Sequence, residues 1–568
     1  MSDLKNTNIN SNYLLRAIIK EEIKEEINFS ILEITSQTIT KPLLTHLKLY
    51  LNIDISGSMS DHCKDGNTKI EHIKTIIKNL LRELYKFKDQ TISIIINGFE
   101  STIHKILDID NLLDQDIEAN IIPKIDCLVP LNSTNIELAL KTVTEAIVID
   151  TDKTNDTKVV HILLTDGNAT EGISNPHILK TFMPKSCKNI ILGIGTDYDA
   201  SALKIISSNK SSIFKHINEA ETAGLCVGEL IHALLYETLK DVTITISNGE
   251  IYDYLSGQWS STLQVDSIAS EQTKTYHIRS ENVKDKDKEK VNIRLDWTTN
   301  KIAFHHEVSE YTVSDLTKYK YRQDVLELLH IASENSKKME ETDFNNFNNN
   351  SNNSNNSNIF NDDNSQDELD ELDKLNFGIH EEKYKIYYET KQKKHTESKK
   401  EQNNIKQQMK KQMIKIMFYM DENQLQSDVF YIMLCRDLKV AIDSLGKRNA
   451  ELFITSRMTS QGRQETYTYE PEEETSFDKD AASVEEDSDV EEEEDTNLEE
   501  SYTRMTWNFK LNTLKNKNKN SKNPNLLLSP YSTAAQVRLM RGISSTPTNT
   551  DFDLSDSSED DNLTIIKP

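Results

Sequence analysis

The chain has 568 residues, 36% of them apolar, which is enough for two to four domains with sizeable cores. Its 66 Lys+Arg against 93 Asp+Glu give a net charge of −27, concentrated in three stretches: 17 acids and one lysine in 470–500, seven acids and one lysine in 359–374, and six acids in 551–561. The remainder is close to neutral and offers no basic surface for nucleic acid.

Residues 1–12 are polar, and the N-terminal segment lacks the charged-then-apolar pattern of a signal peptide. No apolar run approaches the ~20 residues needed to span a bilayer. Cys63, Cys127, Cys187, Cys226 and Cys435 are odd in number, widely spaced and without CxxC, which argues against a disulfide framework, a zinc finger or a RING. The expectation is a soluble intracellular protein, cytoplasmic or nuclear, with no membrane partner.

Residues 13–26 read as a short charged helix, and Ile27, Phe29 and Ile31 then alternate as a strand. In 45–53, Leu49, Leu51 and Ile53 form a buried strand that runs into Asp54-Ile55-Ser56-Gly57-Ser58. Ile70, Ile73, Ile77, Leu80, Leu81 and Leu84 recur at helical spacing. Strands follow at 91–99, 159–164, 189–194 and 212–217, with an edge strand at 101–107. Helices are predicted at 135–148, 176–182, from 199 and at 219–236. Apolar strands alternating with helices imply a parallel sheet covered on both faces.

From 239 to 313 the period becomes two, with Asn248-Gly249 read as a hairpin turn, so this segment is a small antiparallel β unit. The strand near Ile27 is expected to join it, which would insert the α/β domain into a β-sandwich. Residues 314–342 and 380–463 return to helical spacing, with heptad-like apolar faces of the coiled-coil kind. An Asn-rich and acidic insert, 343–379, and the tail, 464–568, read as disordered. Short patches in the tail, at 505–511 and 531–542, have the character of docking motifs.

The loop after the first apolar strand carries one carboxylate and two hydroxyls at alternate positions. These hard oxygen donors suit Mg²⁺ or Ca²⁺. Thr134 precedes a helix, and Asp166 closes a strand in Leu164-Thr165-Asp166-Gly167. In a parallel sheet all three loops fall at one edge, where ligands bind near a switch point. Asp54, Ser56, Ser58, Thr134 and Asp166 are therefore the candidate metal ligands. No activated nucleophile accompanies them, and His161 lies inside a strand as a core residue would. His305-His306-Glu307 lacks HExxH spacing, and no phosphate-binding glycine motif occurs, so the chain reads as non-catalytic.

DISGSMS, STNIELAL and ILLTDGNATEG resemble, in order and context, the three motifs of the von Willebrand factor A (vWA) domain and its metal-ion-dependent adhesion site. NIILGIGTDYDASALKIIS is similar to the family's later strand and helix. The resemblance covers about residues 45–236 and implies a Rossmann-like α/β domain over 45–238. It also implies cation contacts through Ser56, Ser58 and Thr134, with Asp54 and Asp166 acting through water, and Mg²⁺ (or Ca²⁺ or Mn²⁺) completed by an acidic side chain of a protein ligand. Asn132-Ser133 departs from the two glycines common in the family. Tyr321–Asn335 and Ile454–Gln464 resemble the part that follows vWA domains in plant ubiquitin ligases and large-virus proteins, without the RING. The readings that follow are an interaction module, a recruiting subunit of a ubiquitin-ligase or ATPase assembly, or a scaffold with an unused metal site.

Overall fold

The structure is a computed structural model. It describes residues 16–353, 397–465 and 531–544, except 22–26, 40, 43, 64, 132, 152–156, 196–199, 209–211, 218–222, 282–290, 300–301 and 448–449. The acidic stretches 359–374, 470–500 and 551–561, the tail patch 505–511 and Asn132 thus lie outside the described residues.

Two strands open the chain, β1 (Arg16–Glu21) and β2 (Ile27–Thr35). The helix expected over 13–26 is not formed at Arg16–Glu21. Ala17-Ile18-Ile19 is a continuous apolar run, buried on both sides of the strand, which suits a sheet sandwiched between two layers better than a one-faced helix.

The α/β domain follows. Its elements are β3 (His46–Asp54), α1 (Lys69–Tyr85), β4 (Thr91–Phe99), β5 (Ile103–Ile109), α2 (Ile122–Asp126), α3 (Ile136–Thr151), β6 (Thr157–Thr165), α4 (Pro176–Leu179), β7 (Lys188–Ile194), α5 (Ala200–Ile206), β8 (Ser212–Ile217) and α6 (Ala223–Leu235). The sheet order is β5-β4-β3-β6-β7-β8. All neighbours are parallel except the edge strand β5, which is antiparallel to β4. Alternate residues explain why both faces are covered. Leu47, Leu49, Leu51 and Ile53 of β3 pack with Ile73 and Leu80 of α1 and Ile231 of α6. Tyr50, from the intervening set, packs with Val143 and Ile147 of α3. The order reverses between β4 and β6 around β3, so the carboxyl ends of β3 and β6 flank the switch point.

The β unit comprises β9 (Glu237–Ser247), β10 (Glu250–Asp253), β11 (Gln258–Ser260), β12 (Thr262–Ala269), β13 (Thr273–Glu281), β14 (Asn292–Thr299), β15 (Ile302–Val308) and β16 (Glu310–Val313). It has two sheets, β11-β10-β13-β2-β1-β16 and β12-β9-β14-β15. Ile19, Leu32 and Ile34 of the first pack against Ile244, Ile246, Ile293 and Leu295 of the second. The α/β domain is thus inserted between strands of one sandwich. Asn248-Gly249 is not a hairpin turn. β9 pairs with β12 and β14, whereas β10 pairs with β11 and β13, so the turn carries the chain from one sheet to the other. Asn248 takes the left-handed conformation (φ 63°). A Cβ on Gly249 would lie 3.0 Å from the Arg279 carbonyl oxygen, a close approach that favours glycine.

β2 sits between β13 and β1, paired with β13 from Ile27↔Glu281 to Thr35↔Thr273. Deleting residues 1–44 should therefore remove the middle of a sheet. Ile19, Leu32 and Ile34 are fully buried, each contributing about 1.5–3 kcal/mol. The expected outcome is loss of the β unit's cooperative transition in calorimetry; a melting profile like that of the full chain would count against it.

The helical unit contains α7 (Thr317–Asn353), α8 (397–422), α9 (Val429–Ser444) and α10 (Ala450–Arg463). Val325, Leu329, Met409, Met413, Ile416, Leu434, Leu438 and Ile454 share its core. α7 extends through 343–353, into the stretch expected to be disordered. Buried Arg322 of α7 ties the unit to the sandwich, its guanidinium donating to Thr275 Oγ1 at 2.8 Å and to the Gln461 carbonyl at 2.9 Å.

Two parts of the tail expected to be disordered are folded, 464–465 and 531–544. Gln464 and Glu465 are packed against the sandwich and α/β domain. Gln464 bonds Thr275, and Glu465 reaches Lys215 of β8 at 3.0 Å. Residues Ala534–Ser544 form a further helix, α11, on the α/β domain. Val537, Leu539, Met540 and Ile543 give it a buried apolar stripe.

Candidate metal centre

Asp54 is the last residue of β3 and is fully buried. The chain then turns through a 3₁₀ segment, Gly57–Ser60, anchored by the fully buried Met59. The Ile55 amide bonds the Phe99 carbonyl at 3.0 Å, and the Leu131 amide bonds the Ile55 carbonyl at 2.6 Å. These bonds fasten the first loop to the carboxyl end of β4 and to the loop before α3. Thr134 is held in turn: its amide donates to Thr170 Oγ1 at 2.9 Å, and its carbonyl accepts from the amides of Thr170 and Glu171. Ser133 Oγ donates to Glu171 Oε2 at 2.6 Å, so the serine in place of a family glycine adds a strut.

The five oxygen-bearing residues come from these three loops and converge. Asp54 Oδ1 accepts from the Ser56 amide at 2.9 Å and Oδ2 from Thr165 Oγ1 at 2.6 Å. Ser56 Oγ and Ser58 Oγ are 3.1 Å apart, and Ser58 Oγ donates to Asp166 Oδ1 at 2.8 Å. A Cβ on Gly167 would lie 3.5 Å from Thr134 Oγ1 and 3.6 Å from Ser58 Oγ, so a side chain there would crowd the two hydroxyls. Asp54, Ser56, Thr134 and Asp166 are all buried. Burial pushes the Asp54 carboxyl up to about 6, against the hydrogen bonds from Thr165 and Ser56 that favour its charged form.

This donor set fits a hard divalent cation. A hydroxyl that gives its proton to a carboxylate, as Ser58 does to Asp166, keeps lone pairs for a metal. The bonds that both oxygens of Asp54 accept from protein groups suit it to orienting the loop. Among the described residues no group of three or more His, Cys, Asp or Glu side chains is placed to hold a metal; in this site the hydroxyls would carry the direct contacts. His161 is elsewhere, fully buried in β6 and set between Asn189 and Asn52.

Residues 49–225 match the von Willebrand factor type A domain. The chain carries a vWA domain. No curated protein sequence matches the chain. Among solved structures, it is similar to the ArnB paralog VWA2 from Sulfolobus acidocaldarius at 13% identity, covering 80% of this chain and 99% of that one, with a TM-score of 0.38. A von Willebrand factor type A protein from Catenulispora acidiphila is similar at 13% identity over 58% of this chain and 83% of that one, TM-score 0.39. Proximal thread matrix protein 1 from the mussel byssus, with a zinc-occupied MIDAS motif, is similar at 20% identity over 33% of this chain and 44% of that one, TM-score 0.25.

Sequence reasoning missed three residues of the vWA site. Thr165 and Thr170 are ordinary strand and loop threonines until the loops are brought together. Lys69 is the third. Its Nζ donates to Asp166 Oδ2 at 2.7 Å and to Asp61 Oδ2 at 3.2 Å. Burial works against its charge, but the bonds to Asp166 and Asp61 outweigh it and hold its pKa above the ordinary value. One local signal was available. Thr68 and Glu71 form a capping box that starts α1 at Lys69, only eleven residues after Ser58.

A cavity of about 890 Å³ lies where the vWA domain, the sandwich and the helical unit meet. None of the five oxygen donors lines it. Lys215 in its wall is paired with Glu229 at 2.8 Å and Glu465 at 3.0 Å, and Lys274 donates to the Gln464 backbone carbonyl at 3.0 Å. Among the described residues no helix is long and apolar enough to cross a membrane.

Proposed function

We propose that the protein is a non-catalytic intracellular interaction module whose vWA domain binds a protein partner through a divalent cation, Mg²⁺ or a similar ion. Ser56, Ser58 and Thr134 would hold the cation, with Asp54 and Asp166 orienting the hydroxyls and balancing charge. The cation supplies an electropositive point for a carboxylate of the partner. What carries this reading is the convergence of hydroxyls and carboxylates at the switch point: the Ser56–Ser58–Asp166 contacts join two loops, and Thr134 Oγ1 of the third faces Gly167 beside Ser58 Oγ.

Two further features support a binding role. The residues around the cluster are fastened by backbone bonds from neighbouring loops, so the site is preorganised. Arg322 and Gln464 tie the Tyr321–Asn335 and Ile454–Gln464 stretches to the sandwich, while Glu451 and Glu465 bond Lys204 and Lys215 of the vWA domain, so the helical unit helps to set that domain's pose.

Thr134→Ala is expected to weaken cation binding at least about tenfold in calorimetric titration, with the thermal midpoint of the cation-free protein little changed. Partner capture on immobilised wild-type protein should require Mg²⁺ and fail in EDTA. Equal capture in both, or equal cation affinity of the variant, would refute a cation bridge.

A further inference from the structure

Both oxygens of Asp166 are engaged by side chains, Oδ1 by the Ser58 hydroxyl and Oδ2 by the Lys69 ammonium. The Asp166 side chain is 0% exposed and that of Lys69 13%, so water screens the ion pair little. Lys69 has a second carboxylate within reach, Asp61, whose side chain is 59% exposed. The ammonium therefore stands between a buried acid in the site and a solvent-facing acid outside it. Its place is fixed by the backbone. The capping box begins α1 at Lys69, and the Lys69 amide donates to the Asp61 carbonyl at 3.1 Å.

This arrangement bears on charge. Two carboxylates would balance a divalent cation, but Lys69 cancels one of them. A cation on the Ser58 hydroxyl is a near neighbour of the same Asp166 carboxylate, and two cations beside one buried acid repel. Asp54 is held apart from this competition, since its two oxygens are bonded to Ser56 and Thr165.

We propose that Lys69 is a built-in competitor of the site's cation: it neutralises Asp166 when the cation is absent and shifts toward Asp61 when the cation binds. The inference rests on reading this site as a cation site. The consequence is a site tuned to bind its cation weakly and exchangeably, with Asp61 as the outer rest position of the lysine.

The test is titration of the purified full chain with MgCl₂ by calorimetry and with MnCl₂ by electron paramagnetic resonance. Lys69→Gln should tighten cation binding about 10- to 100-fold. Lys69→Arg, which keeps the charge, should stay within about threefold of wild type. Asp61→Asn, at an exposed position that folding tolerates, should weaken binding, and this weakening should vanish in the Lys69→Gln background because Asp61 acts through Lys69. Unchanged or weaker binding in Lys69→Gln, with wild type binding and Thr134→Ala impaired, overturns the role of Lys69 and leaves the cation site standing. So does an Asp61→Asn effect that persists in the double variant. Absence of binding in both wild type and Lys69→Gln overturns the cation reading and this inference together.

Discussion

Replacing Gly228 with leucine is expected to strip α11 from the vWA domain and to lower stability by about 2–3 kcal/mol. Gly228 lies on α6 where α11 crosses it. A Cβ added there would lie 2.6 Å from Met540 Cα and 3.0 Å from Met540 N. One turn earlier, a Cβ on Gly224 would lie 3.0 Å from Ser544 Cα. At Gly228 the nearest obstacles are backbone atoms, which cannot swing aside as the end of a side chain can. The two glycines thus let the helix backbones touch, and that approach brings Leu539 and Ile543 into the main core of the vWA domain. The end of α11 is held by Asn79 Nδ2, which donates to the Ile543 carbonyl at 2.9 Å. At its other side Tyr531 donates to Gln461 Oε1 at 3.0 Å, linking the same segment to the helical unit. Hydrogen exchange read by mass spectrometry should show residues 531–544 losing protection in Gly228→Leu, together with a lower urea midpoint. Retained protection of that peptide would show that the crossing is not the anchor.

Acid is expected to destabilise the vWA domain well before its surface carboxylates are titrated. His161 and His232 are both fully buried, and burial lowers each to about 4, from 6.5 in an unfolded chain. For His161 the chemistry is explicit. Its Nδ1 lies 3.1 Å from Asn189 Oδ1 and donates to it, while Nε2, 3.4 Å from Asn52 Nδ2, is left to accept. A second proton would take away that acceptor. Among the described residues His232 has no hydrogen-bond partner at either ring nitrogen, and it stacks on Tyr236 at 4.9 Å, so its charged form would be buried without compensation. The sign follows from proton counts. At these two histidines the unfolded chain binds protons below pH 6.5 that the folded one refuses, so their contribution is full above 6.5 and is lost as the pH falls toward 4, offset in part by Asp54, whose raised carboxyl takes up a proton in the folded chain below about 6. The full loss is about 3 kcal/mol for each histidine. Urea unfolding between pH 7.5 and 5 should show this slope, and His232→Phe should flatten it by about one proton's worth. A variant with the wild-type slope would remove His232 from the account.

Much of the α/β architecture was legible because its signals are local. Leu49, Leu51 and Ile53 alternate within one strand, and α1 repeats its apolar residues every three or four positions. The same strand-then-loop grammar put Asp54, Ser56, Ser58, Thr134 and Asp166 at one sheet edge, and the structure gathers them there through the Asp54–Thr165 and Ser58–Asp166 bonds. Where a local signal had two physical solutions, the reading failed. Arg16–Glu21 carries charges that suit a helix surface, yet its apolar run is buried between layers as β1. Asn248-Gly249 has the composition of a hairpin turn, but the strands on either side find their partners in different sheets, and a turn sequence does not encode which partner its flanking strands will take.

The sequence alone determined the candidate oxygen donors, their order, the alternation that builds a parallel sheet, and the segregation of acidity into separate stretches. Each depends on spacing within a few residues, which covalent geometry converts directly into a face or a loop. Only the tertiary structure decided that α11 seats on Gly224 and Gly228, that β1 and β2 complete a sandwich around the inserted vWA domain, and that Lys69 reaches into the site. These rest on contacts across long chain separations, 97 residues for Lys69 and Asp166. At such separations a lysine at a helix start looks like any solvated charge until folding closes the chain and removes the water that would have screened it.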